Sequence, residues 1–121
     1  MTNIIRQVPA LTVDDVGMQL NAAFAATRWS ILDGESVILC VDGPALLGQA
    51  GACDSAVATG MLGLARAVAF EGASKGWQIN VVALNPGAEP DANLVELAST
   101  TPGLSGQVLN VSRGAIGRVI P

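Results

Sequence analysis

The chain is 121 residues long, half of them hydrophobic and only 13% charged, with ten acidic residues against six basic ones. That length fits one domain able to bury a core, and the net charge of −4 with scattered Lys and Arg excludes an electrostatic nucleic-acid surface. With no histidine, imidazole metal ligation and Ser-His or Cys-His catalysis are excluded as well.

The first β-rich run covers residues 3–7 and is closed by Pro9. A strand there lies at a sheet edge and is a pairing hazard, so it is expected to be brief or sheltered. Thr12 followed by Asp15 approximates a capping box and starts a helix over Val13–Leu32. Val16, Leu20, Phe24, Thr27 and Ile31 form one apolar stripe and Met18, Ala22, Ala25 and Trp29 a second, so this helix is expected to pack on two sides. Asp33-Gly34 stops it.

Residues 36–41 are a continuous apolar run of strand length, the pattern of a buried parallel strand. A Gly/Pro-rich loop over 42–52 leads to a long Ala- and Leu-rich helix over 54–74, ended by Lys75-Gly76. Residues 77–84 form the next buried strand, stopped by Asn85-Pro86-Gly87. Pro90 introduces a short helix over 91–98, and 106–111 is the last strand. Alternating strands and helices predict an α/β fold with a parallel sheet and right-handed crossovers.

Soluble domains average about 25% charged residues. The low charge and the mean hydropathy of +0.49 therefore predict an apolar patch covered by a partner. No run approaches the roughly 18 consecutive apolar residues of a membrane span, and the N-terminus lacks the pattern of a secretion signal. Cys40 and Cys53 have no companion ligands, which argues for packing roles in a reducing cytoplasm rather than a disulfide or zinc site. No nucleic-acid or membrane partner is expected.

Two carboxylates are candidates for acid/base chemistry: Asp42 and Asp54 flank the loop between strand and helix. The simpler reading is that Asp54 caps the helix and Asp42 opens an Asp-Gly-Pro turn. Glu71, Glu89, Asp91 and Glu96 read as solvated helix-end charges, and Arg113 and Arg118 as surface groups able to meet an anion or a partner carboxylate. Thr59-Gly60-Met61-Leu62-Gly63-Leu64 echoes a phosphate-binding glycine motif but lies inside a helix with no strand before it, so it is set aside.

The stretch DSAVATGMLGLARAVAFEGASKGWQINVVALNPG resembles the helix–strand–loop around the active site of the short-chain dehydrogenase/reductase family. LTVDDVGMQLNAAFAATR, SVILCVDG and GQVLNVSRG resemble that family's flanking segments more loosely. The resemblance implies a single truncated Rossmann-like three-layer domain over 1–121, with about four parallel strands and two long interface helices. It also implies that the family's nucleotide-binding half would precede Asn3, so no cofactor-binding residue is expected in this chain.

The resemblance further implies that each catalytic position is altered. In the ungapped register the family tyrosine falls on Asp54 and the lysine on Ala58; the chain has no tyrosine, and its only lysine is Lys75. The serine falls on Val41, or on Asp42 if the loop shifts by one. The asparagine falls on Asn21 or near Ala23. The threonine that usually follows the Pro-Gly is missing from residues 88–94.

Small residues at Ser55, Thr59, Gly63 and Ala67 recur every four positions, a stripe that permits close helix approach. The resemblance implies that this stripe, with Val16, Leu20 and Phe24 of the preceding helix, meets the same helices of another subunit. A second contact is implied through 94–97 and 107–111. The expectation is a subunit inactive by itself, paired with an intact paralogue that holds the NAD, in a cytoplasmic heterotetramer acting on a hydroxyacyl-type substrate. Two alternatives stand beside it: a homo-oligomeric protein that binds a small ligand or regulates, and an enzyme with new chemistry at Asp42 and Asp54.

Overall fold

The computed structural model describes residues 1–113; Arg118 and the rest of 114–121 lie outside the described residues. The elements are β1 (Thr2–Arg6), α1 (Val13–Leu32), β2 (Ser36–Asp42), α2 (Gly43–Leu46), α3 (Ala52–Glu71), β3 (Ile79–Leu84), α4 (Ala92–Thr100) and β4 (Val108–Asn110). The fold is α/β, a small Rossmann-like three-layer arrangement around one four-stranded sheet.

All pairings are parallel, in the spatial order β1-β2-β3-β4, with Ile4 beside Ile38, Leu39 beside Val81 and Val82 beside Leu109. Strand side chains alternate between faces. Val37, Leu39, Val41, Ile79, Val81 and Ala83 therefore share one face with core residues of α1 and α3, and Ile38, Cys40, Val82 and Leu84 share the other with Ala98 of α4. Both faces of β2 and β3 are closed to water, which is why these strands read as unbroken apolar runs. β1, at the edge, is five residues long and half-buried.

The expected hand of the connections needs correcting. Each strand lies one step further along the sheet in the same direction, yet α1 and α3 cover one face and α4 the other. The β3–α4–β4 crossover therefore has the opposite hand to the two before it. Right-handed crossovers throughout would have put all the helices on one side.

A buried amide holds this unusual connection. Asn80 is fully buried in β3, and its Nδ2 donates to the carbonyls of Leu104 at 2.9 Å and Ala98 at 3.3 Å, while its Oδ1 accepts from the Gln107 N–H at 3.1 Å. One side chain thus ties the end of α4 and the turn into β4 to the centre of the sheet.

The capping box forms as the sequence suggests: Thr12 Oγ1 accepts from the Asp15 N–H, and Asp15 Oδ2 accepts from the N–H groups of Thr12 and Leu11. Each long helix spans 20 residues. They meet where Leu20 lies over Gly60; a Cβ on that glycine would stand 2.7 Å from the Leu20 side chain.

α3 stops at Glu71, short of the expected Ser74; Gly72 takes the C-cap position, and Trp77 folds back over it, filling the space a side chain there would need. The loop after β2 contains the short helix α2, and β4 is limited to three residues. By length and composition α3 is long and apolar enough to cross a membrane, although the sequence pattern suggested no such helix. Here it lies along the sheet, with Val57, Ala58, Met61, Leu62 and Ala65 buried.

Asn80→Ala would take the side-chain partner from the buried Ala98 carbonyl and from the part-buried Leu104 carbonyl and Gln107 N–H. Losses of about 2–4 kcal/mol are expected from groups stranded in this way, read as a lower urea midpoint with secondary structure retained under native conditions.

Candidate functional site

The C-terminal ends of β1, β2 and β3 open into a cleft of about 120 Å³, lined by Arg6, Gln7, Cys40, Val41, Asp42, Leu84 and the turn from Gly87 to Glu89. In parallel α/β sheets this is the end at which ligands are usually held. Gln7, one residue past β1, organises it. Its Oε1 accepts the Asp42 N–H at 3.0 Å, and its Nε2 donates to the Asp54 carbonyl at 2.8 Å. One amide therefore joins the ends of two strands to the first turn of α3.

Asp54 neither stands free nor caps its helix. α3 is capped by Gly51, and Asp54 Oδ1 instead accepts the N–H of Ala10 at 2.8 Å, fixing the loop between β1 and α1. Asp42 ends β2 and occupies the N-cap position of α2, where its side chain makes no capping bond. Burial, and secondarily the nearby Asp54 charge, raise its pKa above the usual carboxylate value. The two carboxylates are close enough to interact, but one is already engaged with backbone.

The other positions singled out by the resemblance hold no reactive group. Val41 and Ala58 are buried in the core between the sheet and the long helices. Ala23 is in the same core, whereas Asn21 lies exposed on α1. Burial pushes the Cys40 thiol up to about 11, so at neutral pH it is protonated and a poor nucleophile. Among the described residues no cluster of three or more His, Cys, Asp or Glu side chains could hold a metal ion.

Charges around the cleft are structural. Arg6 forms an ion pair with Glu89 across its mouth, joining β1 to the turn after β3. Asp91 caps α4 by accepting the N–H groups of Asn93 and Leu94. The Arg113 N–H donates to Asn85 Oδ1, while Glu71 and Glu96 are exposed. Sequence reading missed Gln7 and treated Glu89 as merely solvated. A polar residue directly after an edge strand was the available signal for Gln7; nothing local marks the long-range partner of Glu89.

The second feature is the outer side of the helix layer. Val16 and Leu20 turn inward and pack against the core, and Ser55 is half-buried. Phe24, Thr59, Gly63 and Ala67 are open, so the small-residue stripe does not lie on the chain's own sheet. Around them Met18, Trp29, Leu32 and Phe70 are also exposed, Phe70 to 86% and Met18 to 71%. Between the helices runs a groove of about 310 Å³ floored by Thr27, Ile31, Leu64 and Val68 and flanked by Arg28 and Glu71. The chemical groups are sparse at the cleft, and the uncovered apolar area is concentrated on the helices.

No family model matches this chain, and no curated protein matches it.

Because the native state holds the Asp42 proton more tightly than the unfolded chain, stability falls as pH rises from the ordinary value of 3.8 through the raised one. Asp42→Asn should remove that slope and be the more stable form at neutral pH, as measured by urea unfolding across roughly pH 3 to 7.

Proposed function

We propose that this chain is a non-catalytic subunit resembling the short-chain dehydrogenases/reductases, and that it assembles with an intact paralogue which binds NAD and performs the hydride transfer. The observation that carries the reading is the uncovered apolar face of α1 and α3, with Met18, Phe24, Trp29, Leu32 and Phe70 all exposed. A face of that kind marks a surface awaiting a partner. The cleft supports the same reading: alanine and valine stand where the resemblance places lysine and serine, and both are packed into the core.

Two surfaces serve assembly in this proposal. The principal one is the helix layer. The other is the far edge of the sheet, where, among the described residues, β4 pairs on one side only and Leu97 and Val111 are exposed. Two surfaces on each subunit suit a heterotetramer. The complex would work in the cytoplasm on a hydroxyacyl thioester, as a 2-[hydroxy(phenyl)methyl]-succinyl-CoA dehydrogenase would.

Binding of a small apolar ligand by a homo-oligomer is the second reading, favoured by the groove between α1 and α3. New acid/base chemistry at Asp42 and Asp54 is disfavoured by the bond from Ala10 to Asp54.

Coexpression with an intact dehydrogenase encoded beside it should yield one complex that binds NAD and oxidises a hydroxyacyl-CoA, with this chain alone binding no NAD. Hydride transfer by the isolated chain, or failure of the two proteins to copurify, would sink the proposal.

A further inference from the structure

We infer that the groove between α1 and α3 holds a small neutral molecule, about the size of two fused rings, that carries one hydroxyl or carbonyl oxygen. The inference rests on the reading of this groove as a ligand site and not on which protein the chain assembles with. The two helices touch where Leu20 lies over Gly60. Towards their C-terminal ends they leave a space of about 310 Å³, with Thr27, Ile31, Leu64 and Val68 at its floor and Trp77 at its end. A partner laid over the outer faces of the helices would roof this space and leave it in place.

The floor contains a hydroxyl with nothing to bond. Thr27 is 1% exposed, and its Oγ1 has no hydrogen-bond partner among the described residues. A buried hydroxyl left in that state costs free energy, and a helical threonine can usually return it to the carbonyl one turn back. Here it does not. The group can donate to a carbonyl oxygen or accept from a hydroxyl brought into the groove.

The walls select the rest of the molecule. The chain has only four aromatic residues, two Trp and two Phe, and Phe24 and Trp77 both line this groove. Trp77 is held without a ligand: its ring packs over Gly72, and Lys75 Nζ lies 4.7 Å from its centroid. A flat wall fixed in advance favours a ring laid against it. The other walls are aliphatic, and the exposed Arg28 and Glu71 carry opposite charges, so neither an anion nor a cation is preferred. A dry cavity of roughly 150 Å³ holds benzene; a space about twice as large suits a pair of fused rings.

2-Naphthol is the probe. Titrated into the full chain, it should shift the indole N–H NMR signal of Trp77 and leave that of Trp29, the only other indole, in place. Thr27→Val keeps the shape of the side chain and removes the hydroxyl. It should weaken 2-naphthol about fivefold, leave naphthalene binding unchanged, and hold or raise the thermal midpoint of the free chain. Val68→Trp fills the groove and should abolish binding of both compounds.

An unmoved Trp77 signal, or T27V binding 2-naphthol as the wild type does, overturns the inference. If the chain is soluble only with the dehydrogenase, the same titration is made on the complex. A complex that forms but takes no 2-naphthol removes the ligand and keeps the assembly. A chain that takes 2-naphthol but no dehydrogenase does the reverse.

Discussion

Two strands shielded on both sides impose the demand that the remaining structure answers. β2 and β3 carry apolar side chains on each face, and every such residue left wet would forfeit most of its burial free energy. With four strands there is room for two long helices on one side and one short helix on the other. The inner surfaces of α1 and α3 are spent on the sheet. Their outer surfaces are still apolar, because the chain has so few charged residues to place there. The uncovered helix face follows from composition and strand number together.

The cleft at the strand ends is held by a few polar side chains that mostly satisfy backbone. Gln7 joins β1, β2 and α3, Asp54 holds Ala10, and Arg6 reaches Glu89. A site prepared for catalysis usually keeps donors and acceptors unpaired and aimed at a reacting atom. Here those groups are occupied by the fold itself. Asp42, the exception, is a single carboxylate whose raised pKa reflects its burial first and the nearby Asp54 charge second. The outer helix face and the cleft therefore differ in kind: one is apolar and open, the other polar and largely self-satisfied.

Much of the fold was legible in the sequence because it rests on local signals. The Thr12/Asp15 box and the Asp33-Gly34 stop placed α1 to the residue, and the unbroken apolar runs located β2 and β3. The end of α3 was not legible, since Trp77 folding over Gly72 is a contact between residues that local propensity treats separately. Nor was the hand of the last crossover, which depends on where Asn80 finds its partners some twenty residues away. The cleft divided in the same way. Asp42 and Asp54 could be nominated from residue type and position, but the roles of Gln7 and Ala10 emerge only when three elements converge.

The reversed sense of that final crossover bears on synthesis as well as on architecture. A ribosome releases β1 through β3 before α4, so the side of the sheet bearing Ile38, Cys40, Val82 and Leu84 has no cover of its own until the last quarter of the chain emerges. A nascent chain paused there offers a sticky strand surface to its neighbours. The order of synthesis thus leaves this sheet face as the last apolar surface of the core to gain its cover.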